Sequence, residues 1–148
     1  KNLKEKKLSP LGRLDKDSEG LMILSDDGRI VHRLLAPEEA HEKEYLVVVD
    51  KNIPGTHLRK MEIGINIEGY RTKPAKTARV SEKIFRITLT EGKKHQIRRM
   101  CAAAGYQVRT LKRIRIENIK IGKLKENQYR EIEGKERENF LKNLLNSI

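Results

Sequence analysis

An acidic residue stands between two basic ones in the segment "GRLDKDSEGL", an order that a simple surface loop does not need. Asp15 lies between Arg13 and Lys16, and the segment runs directly into the apolar stretch "LMIL". A carboxylate can act as a nucleophile or a base, and neighbouring cations favour its ionised form. Such an order fits a carboxylate that must stay ionised beside a polyanion, whose phosphates the same cations would hold.

A second segment, "EGKKHQIRRM", combines basic residues with a helical apolar stripe. At 100° per residue, one face of the predicted helix holds Ile97, Met100, Cys101 and Ala104. Arg98 then lies at the edge of this buried face, where its guanidinium can pair with a partly buried carboxylate. Arg99 points away from the face, toward solvent or a phosphate. The alternative is that both arginines are ordinary solvated helix residues, as an isolated arginine pair usually is.

The charge balance favours an anionic partner. Thirty-three Lys and Arg against 21 Asp and Glu give a formal net charge of +12. Such an excess attracts nucleic acids through the long-range field and counterion release. Two other interpretations remain open at this point. The lysine-rich composition of an AT-rich genome would raise the charge without any RNA role, and a basic scaffold for acidic proteins would explain the charge but none of the motifs.

Neither a metal site nor a membrane span is expected. The four histidines are scattered, and "HEKEY" begins like a zinc-protease helix but has Tyr45 where the second histidine would be needed. The single cysteine, Cys101, lies in an apolar helical pattern and fits a core position in a reducing compartment. No apolar run approaches the ~20 residues of a membrane span. We therefore expect a cytoplasmic protein without cofactor or membrane partner, with a monomer as the default.

The remaining patterns predict an α+β fold, a mixed and mostly antiparallel sheet with flanking helices. "KEYLVVVD", residues 43–50, is nearly continuous in apolar residues and indicates a central strand. Further strands are expected in "LMIL", "KIFRITLTEG", "YQVRTLKRIRIENIKIG" and "QYREI". Helices are expected in "RIVHRLLAP", "PGTHLRKMEIG", "KKHQIRRMCAAAG" and a tail from Lys135 to Asn146. A chain of 148 residues fits one domain.

The two basic segments, with "KEYLVVVD" between them, resemble in order the signature of the RsuA-type family of ribosomal RNA pseudouridine synthases. Within it they most resemble the large-subunit branch called ribosomal large-subunit pseudouridine synthase F. That family carries a Gly-Arg-Leu-Asp block, a tyrosine in a Lys-x-Tyr strand and a Gln-Ile-Arg-Arg-Met block. The resemblance extends from Leu11 to about Ile132 and includes "LKRIRI". Three ordered motifs are more specific than any one of them.

The resemblance implies the pseudouridine synthase catalytic-domain fold and an activity on ribosomal RNA. The implied reaction converts a flipped-out uridine of 23S RNA to pseudouridine without a cofactor, with transfer RNA left open as a second substrate. Asp15 is implied as the catalytic nucleophile, acting at C6 of the ring or at the ribose. Tyr45 is implied as the tyrosine that stacks on the base and serves as a general base, and Arg98 as the partner of Asp15. The implied RNA contacts at the rim are Arg13, Leu14, Lys16, His95, Gln96 and Arg99, and the implied pocket wall is Leu111.

The sequence also departs from the family pattern. Ser18 stands where the family more often has Thr, and Lys94 and His95 stand where relatives often have Asn-Arg. Residues 1–148 are expected to form the catalytic domain, N-terminally incomplete and without an S4-type RNA-binding domain in this chain. The alternative function is a non-catalytic, basic RNA-binding module associated with the ribosome. The acidic residue inside a basic segment favours the enzyme, because a pure RNA binder has no use for it.

Overall fold

The computed structural model describes residues 7–35 and 41–145. Its strands are β1 (Ser9–Pro10), β2 (Glu19–Gly20), β3 (Leu24–Ser25), β4 (Lys43–Val49), β5 (Asn66–Ile67), β6 (Tyr70–Arg71), β7 (Lys76–Ser81), β8 (Ile84–Leu89), β9 (Val108–Ile116) and β10 (Ile119–Lys120). Its helices are α1 (Gly28–Leu35), α2 (Gly55–Ile63), α3 (Gln96–Ala103) and α4 (Gly134–Leu145).

Six of these strands form one sheet, in which β4 lies at the centre. The strand order is β10-β9-β4-β8-β7, and β2 pairs with β9 outside this path. All pairs in the sheet are antiparallel except β2 with β9, which is parallel. This confirms the predicted α+β fold with a mixed, mostly antiparallel sheet. The central position of "KEYLVVVD" is also confirmed, since β4 is hydrogen-bonded to β8 on one side and β9 on the other.

One core cluster joins the sheet to α2 and α3. Val47, Phe85 and Met100 are fully buried in it. Burying an apolar side chain of this size contributes roughly 1.5–3 kcal/mol, so the cluster holds α3 firmly against the sheet. The predicted apolar face of α3 is confirmed, because Ile97, Met100 and Cys101 are buried. Its last member, Ala104, is partly buried and packs against the same cluster.

A second core cluster holds the start of the chain against its tail helix. Its buried members are Leu11, Leu21, Ile23, Leu34, Ile116, Ile119, Phe140 and Leu144. The predicted tail helix is therefore present as α4, and it docks on this chain through Phe140 and Leu144. The side-chain amide of Asn118 donates to the Glu136 carbonyl oxygen at 3.0 Å, which ties the β9–β10 turn to the start of α4.

Two predicted strands differ from the structure. In "LMIL" only Leu24 belongs to a strand, although Leu21 still hydrogen-bonds Arg113 on β9 through its N–H. The predicted strand "QYREI" is wrong, because these residues join no sheet and instead follow a turn in which the Gln128 N–H donates to the Lys125 carbonyl oxygen. Within 7–35 and 41–145, no helix is both long and apolar enough to cross a bilayer.

Candidate active site

Asp15 lies in a turn that ends where β2 joins the sheet. The Ser18 N–H donates to the Asp15 carbonyl oxygen at 2.9 Å and closes the turn. Directly after it, Gly20 lies opposite Arg113 in the parallel pairing of β2 with β9. Gly20 has a φ of +116°, and a Cβ there would lie 2.2 Å from the Arg113 carbonyl oxygen. Only glycine allows this approach, which fixes the turn against the sheet.

The start of α3 brings His95 next to Asp15. His95 precedes the helix in a left-handed conformation, with φ 53° and ψ 33°. This backbone region is uncommon for residues other than glycine. The His95 Nε2 lies 3.8 Å from the Asp15 Oδ1, and the two side chains are 49% and 39% exposed. The carboxylate and the imidazole are therefore neighbours that a substrate can reach.

A hydrogen-bond network around Glu91 holds the loop that leads into α3. The Glu91 carboxylate accepts hydrogen bonds from the Tyr70 hydroxyl, from the Lys73 N–H at 2.7 Å and from the Gln96 side-chain amide at 3.0 Å. The Gln96 Oε1 in turn accepts from the Lys93 N–H at 3.0 Å. Burial alone would raise the pKa of Glu91, but these hydrogen bonds outweigh it and hold the pKa below its ordinary value. The carboxylate is thus ionised, and its hydrogen bonds hold the loop together.

A cavity of about 300 Å³ opens between the Asp15 turn and α3. Its lining residues are Asp15, Lys16, Asp17, His95, Arg98, Arg99 and Ala102. Lysine and arginine outnumber aspartate among them, so the cavity favours an anionic ligand. The predicted site residues Asp15, Lys16, His95, Arg98 and Arg99 therefore meet in one cavity, although they come from segments about 80 residues apart.

The predicted ion pair between Arg98 and Asp15 is not the contact that the structure contains. The Arg98 Nη2 donates to the Asp17 carbonyl oxygen at 2.6 Å. Its Nε is buried and has no hydrogen-bond partner among the described residues. The expectation of a direct pair was wrong because the guanidinium binds the backbone of the turn instead of the carboxylate. Arg98 ties α3 to the Asp15 turn and leaves Asp15 paired with His95.

Tyr45 comes within electrostatic range of Asp15 from β4. Burial raises the pKa of the phenol, the nearby Arg113 guanidinium lowers it, and the Asp15 carboxylate raises it again. The net pKa lies above the ordinary value, so Tyr45 carries its proton at neutral pH. Tyr45 does not belong to the cavity lining, and the Asp15 charge is the smallest of the influences on its pKa.

Arg113 is a buried residue opposite Tyr45 in the sheet that the sequence interpretation did not single out. It is 3% exposed, and its Nε and Nη2 both donate to the Leu21 carbonyl oxygen, at 2.9 and 2.7 Å. Burial lowers the pKa of this guanidinium, and the interaction with Tyr45 opposes that effect. A signal was available in the sequence. Leu111 and Arg113 share one phase of the alternating strand, so a core position for Leu111 predicts an inward-facing Arg113.

Two residues predicted at the rim or the wall of the site are internal. Gln96 is 4% exposed, and both ends of its side-chain amide are bound within the Glu91 network. It is therefore not free to contact RNA. Leu111, on β9, is 5% exposed. Its side chain packs in the core cluster that joins the sheet to α2 and α3, and it does not line the cavity. Both corrections have the same cause, since neither side chain reaches the surface that the motifs share.

The other predicted contacts lie nearer the surface. Arg99 does not point freely into solvent, because its Nη2 binds the Glu68 carboxylate at 2.8 Å and its Nη1 binds the Lys94 carbonyl oxygen at 3.2 Å. Arg13 is exposed and Leu14 is partly buried, and both flank Asp15 without lining the cavity. In the part of the chain that the structure describes, no group of three or more His, Cys, Asp or Glu could hold a metal ion.

Comparison with known proteins shows which family this chain resembles. The family described as RNA pseudouridylate synthase matches residues 1–103. The chain is 42% identical over 142 residues to the dual-specificity RNA pseudouridine synthase RluF of Escherichia coli (strain K12), which covers 96% of this chain and 49% of that protein. It is 43% identical over 127 residues to RluF of Salmonella typhi, covering 86% and 44%. The chain thus spans about half the length of these curated relatives.

Solved structures extend the comparison. A crystal structure of a pseudouridylate synthase matches with a TM-score of 0.85 and 36% identity, over 90% of this chain and 60% of that one. A chain of the archaeal box H/ACA sRNP Nop10-Cbf5 complex, at 21% identity and a TM-score of 0.55, shares the fold alone. The family predicted from the three motifs is confirmed by the family match and the identities to RluF. The chain belongs to the RNA pseudouridine synthase family.

Proposed function

We propose that this chain converts a uridine of large-subunit (23S) ribosomal RNA to pseudouridine in the cytoplasm. The reaction breaks the bond from N1 to C1′ and forms one from C5 to C1′, while a proton leaves C5 and N1 gains one. No net oxidation occurs, so the chemistry requires a nucleophile and a pocket but no redox cofactor. The observation that carries the proposal is the partly exposed Asp15 carboxylate in a cavity where Lys16, Arg98 and Arg99 outnumber the two aspartates.

The carboxylate and the cations of the cavity have different roles in the proposed reaction. Asp15 acts on the uridine as the nucleophile. Lys16, Arg98 and Arg99 hold the phosphates around the target nucleotide, since contacts to phosphates position RNA without reading its sequence. For Arg99 to bind a phosphate, its ion pair with the exposed Glu68 must exchange. The pair is a surface contact worth at most about 1 kcal/mol, so the exchange costs little.

The target base must leave its stack to reach Asp15. Flipping costs a few kcal/mol, and stacking on an aromatic ring returns about 1–3 kcal/mol per base. We assign this step to Tyr45, because β4 pairs with β9, the strand to which β2 anchors the Asp15 turn. The exposed Arg13, Lys93 and Lys94 extend the basic surface on both sides of the cavity and provide a path for the flanking RNA.

The test is tritium release from RNA that carries 5-tritiated uridine, because the C5 proton is lost only when the isomerisation occurs. We expect the wild-type chain to release tritium and Asp15→Ala to release none, while Asp15→Ala still binds RNA. Asp26→Ala is the matched control, since Asp26 is an exposed aspartate in the turn before α1 and lies outside the cavity. Turnover by Asp15→Ala equal to that of the control would remove Asp15 from the chemistry.

The same assay separates the enzyme from a non-catalytic binding module. A binding module would retain RNA without releasing tritium, even as the wild-type chain. The target is found by mapping pseudouridines in ribosomal and transfer RNA from cells with and without the gene. Loss of a single pseudouridine from 23S RNA is expected, and loss from transfer RNA alone would reassign the substrate.

A further inference from the structure

Arg113 connects the Asp15 turn to the centre of the sheet. Its guanidinium donates twice to the Leu21 carbonyl oxygen, and its own carbonyl oxygen accepts the Leu21 N–H at 2.8 Å. Both backbone groups of Leu21 are thereby bound to one residue. Leu21 follows Asp15 by six residues, and Gly20 closes the gap to β9 between them. The position of the turn relative to the sheet therefore depends on Arg113.

The same side chain contacts the second proposed catalytic group. Tyr45 on β4 is the Cα partner of Arg113 on β9, so the two side chains leave the same face of the sheet, and the guanidinium charge lowers the pKa of the phenol. A single buried residue thus touches both the strand that carries Tyr45 and the segment that carries Asp15.

Stability alone does not explain this arginine. In 7–35 and 41–145, its guanidinium hydrogen-bonds the Leu21 carbonyl oxygen and the Met22 sulfur and lies on the same sheet face as the Tyr45 phenol, and none of these groups carries a negative charge at neutral pH. The nearby Lys43 adds a second cation, whose pKa is lowered by burial and by the Arg113 charge. A buried cation without a carboxylate partner opposes folding. An apolar residue would pack in the same place at lower cost.

We propose that Arg113 is a positioning residue for the isomerisation, which fixes the Asp15 carboxylate and the Tyr45 ring at the separation that the flipped base requires. This inference rests on the proposed function. Arg113 does not touch RNA, because its side chain is enclosed by β2, β4 and β9. It acts through Asp15 and Tyr45, which come from different parts of the chain, and it adds to the anchors that Gly20 and Arg98 provide for the Asp15 turn.

The prediction is a loss in kcat without a loss in RNA binding. Arg113→Met removes the donors and the charge, and small displacements of reacting groups can lower a rate by about 100-fold, which is the loss expected in kcat here. The KM for RNA stays near the wild-type value, because no RNA contact is removed. Arg113→Lys keeps the positive charge but has a single donor nitrogen in place of two, so its kcat lies between those of Arg113→Met and the wild-type chain.

A double-mutant cycle with Tyr45→Phe separates positioning from a general loss of structure. If Arg113 acts through Tyr45, the two losses in kcat do not multiply, and Arg113→Met costs less in the Tyr45→Phe background. Arg115→Met is the matched control, since Arg115 lies on the same strand and pairs with Glu44 at 3.1 Å but contacts neither catalytic group. Its kcat is expected to equal that of the wild-type chain.

The outcomes are distinguishable when thermal melting of each variant is measured beside its tritium release. Folded Arg113 variants with wild-type kcat, or losses that multiply with that of Tyr45→Phe, would overturn the positioning role while leaving the proposed function intact. Failure of both Arg113→Lys and Arg113→Met to fold would assign the residue to stability alone and would overturn it as well. A wild-type chain that binds RNA but releases no tritium would overturn the proposed function, and this inference with it.

Discussion

Two histidine–carboxylate pairs in this molecule have opposite characters. The His41 Nδ1 lies 3.2 Å from the Glu117 Oε1, and the two side chains are 4% and 17% exposed. The other ring nitrogen of His41 meets the Arg33 carbonyl oxygen at 3.0 Å, and Glu117 also accepts the Glu42 N–H at 2.8 Å. We call this pair closed, because its polar groups are hydrogen-bonded to neighbouring residues of the fold.

The pair of His95 with Asp15 is open. Its separation is 3.8 Å, and roughly half of the His95 side chain and two fifths of the Asp15 side chain are exposed. A short, buried pair holds two segments together, whereas a long, exposed pair contributes little to stability and leaves its groups available. The difference in separation and exposure distinguishes a structural contact from a candidate site. Substitutions in the closed pair should therefore lower stability, whereas substitutions in the open pair should lower turnover.

The largest effect is expected at the open carboxylate. Asp15→Asn preserves the shape of the side chain but removes the nucleophile, so we expect turnover to fall by about 1,000-fold or more. The melting temperature should stay close to that of the wild-type chain, because the exposed pair with His95 adds little stability. Single-turnover tritium release and circular dichroism measure the two quantities. A large drop in melting temperature would instead make the open pair structural.

The next effect is expected at the closed pair. His41→Asn removes hydrogen bonds to a carboxylate and to a backbone carbonyl in a buried setting, so we expect a loss of about 2 kcal/mol in the free energy of unfolding. Turnover at temperatures well below the melting transition should be unchanged. Denaturant unfolding gives the free energy, and His32→Asn, at an exposed position on α1, is the control. Equal stability of the two variants would contradict the closed character of the pair.

A smaller effect is expected at the open imidazole. His95→Asn keeps a residue type that tolerates the left-handed backbone but removes the ring beside Asp15. We expect turnover to fall by about tenfold, because the carboxylate loses the neighbour that orients it. Steady-state kinetics on substrate RNA measure the loss. If His95→Asn matched Asp15→Asn in severity, the two residues would act as one unit.

The smallest effect is a change in acid stability at Glu91. Its folded pKa lies below the ordinary value of 4.5, so its contribution to stability is present above that pH and is lost as the pH falls through the folded value. Glu91→Gln should therefore be less stable than the wild-type chain at neutral pH, and the difference should shrink below about pH 4.5. Unfolding curves across pH 3 to 7 measure it. A difference that grows toward acid would reverse the assigned sign.

The sequence predicted the parts of the site that depend on local periodicity. The helical spacing placed Ile97, Met100 and Cys101 in the core, and consequently placed Arg98 at the boundary where the cavity opens. It could not give the hydrogen-bond partner of Arg98. That partner is set by the parallel approach of β2 to β9, a long-range pairing that no local pattern encodes.

Other errors arose where tertiary context overrides local preference. "QYREI" has strand-forming residues, but strand propensity is expressed only where a neighbouring strand is available. The helical angle of Arg99 predicts a side chain directed to solvent or a phosphate, and it does not reveal the ion pair with Glu68 that the β5–β6 hairpin supplies. Gln96 was assigned to the RNA surface by family resemblance, while the Glu91 network draws it into the interior.

The glycine that closes β2 onto β9 also sets a limit for protein engineering. Gly20 admits no side chain, so the turn that carries Asp15 is anchored to β9 at one fixed point. The number of residues from Asp15 to Gly20 therefore determines the position of the carboxylate relative to the sheet. Each residue added to an extended segment shifts its end by about 3.3 Å. Redesign of this scaffold for other nucleosides can therefore vary the residues between Asp15 and Gly20, whereas their number must be conserved.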